Sequence, residues 1–111
     1  MPLHIRRYTD VWPDGHWSPD QYLVINNAGC SVGTIQHNVA YSPPWYWAIN
    51  GAIVQGAVDA SGQAGDIETC KRDLARNWRR WLALRGEGED YRPPFGSKLS
   101  IEDRRRLRLP G

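Results

Sequence analysis

The chain has 111 residues and a net charge of +2; a length of this order makes one domain that buries roughly 65% of the surface its unfolded form exposes, which leaves little material for a deep enclosed pocket. The charge is unevenly spread: residues 1–19 are balanced, residues 20–70 carry four acids and no Lys or Arg, and residues 71–111 carry twelve basic residues against six acidic ones, so contact with polyanions is confined to the C-terminal third. Cys30 and Cys70 are too few for a disulfide scaffold and match no CxxC spacing, which excludes the commonest zinc and redox motifs and reads as two free thiols.

The first residues, Met-Pro-Leu-His-Ile-Arg-Arg, are followed by no apolar run, so no signal peptide and a cytoplasmic location are expected. Leu3 and Ile5 alternate with His4 and Arg6 as a short strand. Pro13-Asp14-Gly15 is turn chemistry. Tyr22 to Ile25 is a strand of β-branched and aromatic residues, Asn26 to Gly29 a tight reversal, and Ser31 to His37 the returning strand of a hairpin. Two prolines break the pattern between Tyr41 and Pro44. Trp45 to Ile49 is the next strand, a further strand over Ala52 to Val58 is possible, and the small residues of Ala60 to Gly65 read as a loop. The longest apolar stretch, Trp45 to Val58, is interrupted by Asn50, Gly51, Gln55 and Gly56, too short and too polar to span a bilayer.

The clearest element is a helix over residues 67–85. Asp66 is its N-cap, Glu68 suits its first turn and Gly86 is its stop. Ile67, Cys70, Leu74, Trp78 and Trp81 recur at steps of three and four and make one apolar stripe. Glu87 to Asp90 and Pro93-Pro94 form a polar break. Ser100 to Asp103 then reads as a helix start before Arg104-Arg105-Arg106-Leu107-Arg108-Leu109, a tail that is either a short helix or disordered. The predicted fold is α+β: an antiparallel sheet of three to four strands packed against one main helix over residues 1–86, followed by a linker and basic C-terminal tail over 87–111.

The segments Pro2 to Tyr8, the hairpin Tyr22 to Ile35 with Val32-Gly33, the strand Trp45-Tyr46-Trp47 and the helix ending in Trp78-Arg79-Arg80 together resemble a family of short uncharacterised proteins of rhizobia and related alphaproteobacteria. The resemblance covers roughly residues 1–85 and implies no activity; Cys30 and the basic tail depart from it. The layout of strands then helix is also similar to the plant ethylene-response DNA-binding fold, which reads DNA from its sheet. Here residues 20–70 hold no basic residue, so this sheet has no phosphate contacts to offer.

No constellation points to an enzyme. His4, His16 and His37 match no metal-ligand spacing with each other or with the cysteines, and read as surface or strand-edge residues. Cys70 lies on the apolar stripe as a small core residue. Asp66 and Glu68 serve the helix N-terminus, and Asp59 stands alone as a candidate acid. No catalytic residue, metal or cofactor is therefore expected.

The tryptophans are the informative residues. On a strand, Trp45, Trp47 and Ile49 point one way and Tyr46 and Ala48 the other. Most of these indoles suit a core between helix and sheet. Yet Tyr22–Ile25 and Trp45–Ile49 are apolar at nearly every position, which calls for both sheet faces to be covered. One helix covers one face; the tail, Trp12 and Trp17, a second copy or another protein must cover the other. The sequence thus reads as a non-enzymatic protein-interaction module, a small accessory or inhibitory protein of bacterial, phage or mobile-element origin. It would use Trp45, Tyr46, Trp47 and Tyr22 towards a protein partner or a second copy in a homodimer. The alternative is nucleic-acid binding through Arg72, Arg76, Arg79 and Arg80 on the helix and Arg104, Arg105, Arg106 and Arg108 in the tail. Glu68 and Asp73 stand where they can pair with Arg72 and Arg76 instead.

Overall fold

The computed structural model describes residues 3–50, 58–93 and 98–109. One antiparallel sheet runs in sequential order through β1 (His4–Arg7), β2 (Gln21–Ile25), β3 (Ser31–His37), β4 (Trp45–Ile49) and β5 (Ser61–Ala64). Helices α1 (Tyr8–Val11), α2 (Ile67–Arg85) and α3 (Ile101–Arg106) pack on it. The class is α+β as expected, but among the described residues the sheet has five strands, not three or four.

The additional strand is β5, in the stretch that reads as a loop. Its small residues answer to packing, not to flexibility. Gly62 pairs with Trp47, and a Cβ on Gly62 would stand 2.7 Å from the Trp47 Nε1. Ala64 pairs with Trp45 in the same way. Strand propensity undervalues such residues because it does not know that two indoles lie across the ladder. The strand proposed for Ala52 to Val58 falls outside the described residues except for Val58, which belongs to no strand. Helix α1 was not legible either. It is a single turn after β1, and Arg7 at its N-cap makes no capping hydrogen bond.

The register sorts side chains onto two faces. Ile5, Tyr22, Val24, Ile35, Trp45, Trp47 and Ile49 share one; Arg6, Leu23, Ile25, Thr34, Gln36, Tyr46 and Ala48 share the other. Helix α2 covers the first. Asp66 Oδ1 accepts a 2.7 Å bond from the Thr69 N–H at its start, and Gly86 takes φ 68° at its end. Between those caps Cys70, Leu74, Trp78, Trp81 and Leu82 are buried against Val24, Val32, Ile35, Trp47 and Ile49. Trp78 and Trp81 stack with ring centroids 5.5 Å apart. Each of the larger side chains contributes about 1.5–3 kcal/mol by burial.

The second face is covered over its β1–β2 half. Val11 of α1, Leu99 and Leu107 close on Leu23 and Ile25, with Tyr8 and Leu109 at the margin. Residues 98–109 are thus docked on the sheet. Ser100 caps α3 by accepting from the Asp103 N–H at 3.1 Å, and the Leu99 N–H donates to Gly29 O at 2.9 Å, tying the segment to the β2–β3 reversal. Gly29 adopts φ 78° in that reversal, the left-handed conformation its glycine allows. Among the described residues no helix is long and apolar enough to cross a membrane.

Candidate interaction surface

No described residue covers the second face where α1 and α3 end. Its floor is made by alternate residues of three strands: Thr34 and Gln36 of β3, Tyr46 and Ala48 of β4, Ser61 and Gln63 of β5. None of these carries a charge. Along the β2 side stands an aromatic wall. Tyr8 meets Trp12 edge-on at 5.4 Å between ring centroids and Trp17 at 5.0 Å. Val11, buried in the second core, anchors that wall. Trp12 and Trp17 remain 38% and 39% exposed, large values for indoles fixed in ring contacts. Between wall and floor lies a cleft of about 350 Å³, lined by Tyr8, Trp12, Leu23, Thr34, Ala48 and Asn50 among others and by no charged residue.

The residues expected to form an interaction face do not lie together. Trp47 is 3% exposed and belongs to the core beneath α2, so it cannot meet a partner. Tyr22 and Trp45 are half-buried on the α2 side, 6.4 Å apart between centroids. Trp45 meets the His37 ring edge-on at 4.9 Å, and the Arg7 guanidinium lies over the Tyr22 ring. Only Tyr46 is on that floor. The physical reason is the two-residue period of a strand, which sends neighbours Trp45 and Tyr46 to opposite sides. Trp12 and Trp17 were legible as possible cover for this face; Tyr8 was not, because nothing in the sequence announces α1.

The arginines are divided too. Arg72, Arg76, Arg79 and Arg80 are exposed on the outer side of α2, while Arg104, Arg105 and Arg106 belong to α3 beyond the opposite face of the sheet. They make no continuous basic surface. Arg76 pairs with Asp73 at 3.3 Å, as the spacing suggested, but Glu68 takes Lys71 at 3.1 Å instead of Arg72. Arg104 is 7% exposed and donates to Leu99 O at 2.8 Å. Arg106 donates to Asp10 O and Val11 O and pairs with Asp103 at 2.8 Å. These two guanidiniums hold α3 in place.

The remaining candidates have local roles. Cys30 and Cys70 are buried and form no disulfide, and burial pushes the Cys70 thiol up to about 11, leaving it protonated at neutral pH. His4 Nε2 and Asn27 Oδ1 lie 3.1 Å apart. Among the described residues no three His, Cys, Asp or Glu side chains stand close enough to share a metal ion. Comparison with protein-family models, curated proteins and solved structures returned no match.

Proposed function

We propose that the chain is a non-enzymatic protein-interaction module that docks a second copy of itself through the half of the second sheet face that no described residue covers. The observation that carries this reading is a cleft with no charged residue in its lining beside two exposed indoles. A two-fold interface needs a self-complementary patch, in which a projection on one copy enters a recess on the other. Trp12 or Trp17 supplies the projection. The recess of about 350 Å³ has room for an indole, since a dry cavity of about 150 Å³ already takes benzene. Neutrality matters equally: a charged patch apposed to its own copy repels itself, and this one does not. The rim of Thr34, Gln36, Ser61 and Gln63 offers neutral hydrogen-bonding groups around the aromatic centre, as interfaces commonly do.

Sedimentation velocity over a dilution series, read as solution mass, tests this. The expected result is a particle of twice the chain mass that dissociates on dilution. Thr34→Arg and Tyr46→Asp, each placing a charge on the neutral floor, are expected to weaken it at least tenfold. A monomer at every concentration, or a dimer indifferent to both substitutions, overturns the reading.

A further inference from the structure

A second cleft, of about 510 Å³, opens on the other side of α1 from the aromatic wall and is lined by Arg6, Thr9, Asp10, Pro13, Arg106, Leu107 and Arg108. Three guanidiniums from two distant parts of the chain meet there. Two of them brace the fold. Arg6 donates to Leu107 O at 3.3 Å and to Ile5 O at 3.0 Å. Arg106 satisfies the last carbonyls of α1, Asp10 O and Val11 O. Arg108 braces nothing, since its side chain makes no hydrogen bond or ion pair among the described residues. Its backbone nevertheless has φ 57°, and it is the only non-glycine residue described with a positive φ.

That position closes α3. The Arg108 N–H donates to Arg105 O at 3.1 Å and the Leu109 N–H to Arg104 O at 2.8 Å, a pattern in which the left-handed residue is ordinarily glycine. An arginine here carries strain that a glycine would relieve. Packing does not explain it, because the side chain is exposed. What the arginine adds is a free guanidinium at the mouth of a cleft where Arg6 also keeps an unused Nη2. Asp10 is in the lining and Asp103 is engaged with Arg106, so the cleft retains a net positive charge.

We infer that this cleft binds a small phosphate ester, its phosphoryl oxygens held in the fork of Arg108 and by the unused Nη2 of Arg6, with the Thr9 hydroxyl beside them. Guanidinium forks match phosphate geometry. The cleft is far larger than a phosphoryl group, which leaves space for the moiety it esterifies. A nucleic-acid strand fits less well, since it needs a track of cations, and Arg72, Arg76, Arg79 and Arg80 of α2 lie beyond the opposite face of the sheet.

Titration calorimetry of the full chain at low salt, with inorganic phosphate, a nucleoside monophosphate and a twelve-nucleotide single strand, tests this. The monophosphate is expected to bind more tightly than inorganic phosphate. Arg108→Gly is expected to weaken it at least tenfold while the melting temperature stays level or rises. Arg105→Ala, an exposed arginine outside the cleft, is expected to leave affinity unchanged. The inference is overturned by any of three results: no binding of either small phosphate, equal losses in Arg108→Gly and Arg105→Ala, or binding of the strand alone.

Discussion

Asn26 shows how much one polar residue can organise. It is fully buried, and its Oδ1 accepts from the N–H groups of Ala28 and Cys30, both at 3.0 Å, while its Nδ2 donates to Tyr91 O at 2.6 Å. The side chain thus closes the β2–β3 reversal and fastens the segment after α2 to it. Asn26→Ala removes the side-chain partner of two buried N–H groups and of the Tyr91 carbonyl. At about 1–3 kcal/mol for each stranded group, partly relieved by relaxation, the expected loss is roughly 3–5 kcal/mol in denaturant unfolding. A loss below about 1 kcal/mol would mean that water takes over these bonds. In sequence, Asn26-Asn27 signals a turn, and that turn exists. Which of the two asparagines goes inside depends on Tyr91, which no local pattern brings near.

At the scale of elements, caps and stripes explain why α2 was readable to the residue and α1 was not. Asp66, Gly86 and the apolar stripe are local statements of where a helix starts, ends and faces. The cap also makes α2 sensitive to acid. The Thr69 N–H bonded to Asp66 favours its ionised form and holds its carboxyl below the ordinary value; Asp103 on α3 is lowered likewise, chiefly by its hydrogen bond from Arg106. A carboxyl lowered on folding contributes stability above its unfolded pKa, and that contribution is lost as pH falls through the folded one. The melting temperature should therefore drop on acidification below about pH 4. Asp66→Asn, which still caps without titrating, should show a shallower acid limb. Equal acid limbs in the two proteins would remove Asp66 from this account.

At the scale of the molecule, the two sheet faces are covered by different means. Helix α2 lies along one; α1 and α3 share part of the other, from opposite ends of the chain. Leu107, 8% exposed between Val11 and Leu23, belongs to that second core. Leu107→Ala is expected to cost about 2–5 kcal/mol, the range for a buried leucine. It should also loosen Arg106 from α1, so that hydrogen exchange at Tyr8–Val11 quickens before exchange in α2. Exchange that quickens uniformly would show that the second core has no independence from the first.

The amino-acid sequence by itself determined the elements whose signals are local: the hairpin with its glycine reversal, the Trp45–Ile49 strand, and a nineteen-residue helix with both caps. It also determined that both faces of the sheet required cover, because Leu23 and Ile25 alternate with Tyr22 and Val24 and none of them is charged. Only the tertiary structure decided what supplies that cover and where it stops. The small residues of β5 become a strand because Trp45 and Trp47 lie beside them, the C-terminal segment becomes a docked helix because Leu99 and Leu107 find Leu23 and Ile25, and the arginines separate because α2 and α3 settle on opposite faces. Each of these outcomes depends on contacts between residues far apart in the chain, and such contacts leave no periodic trace in either partner.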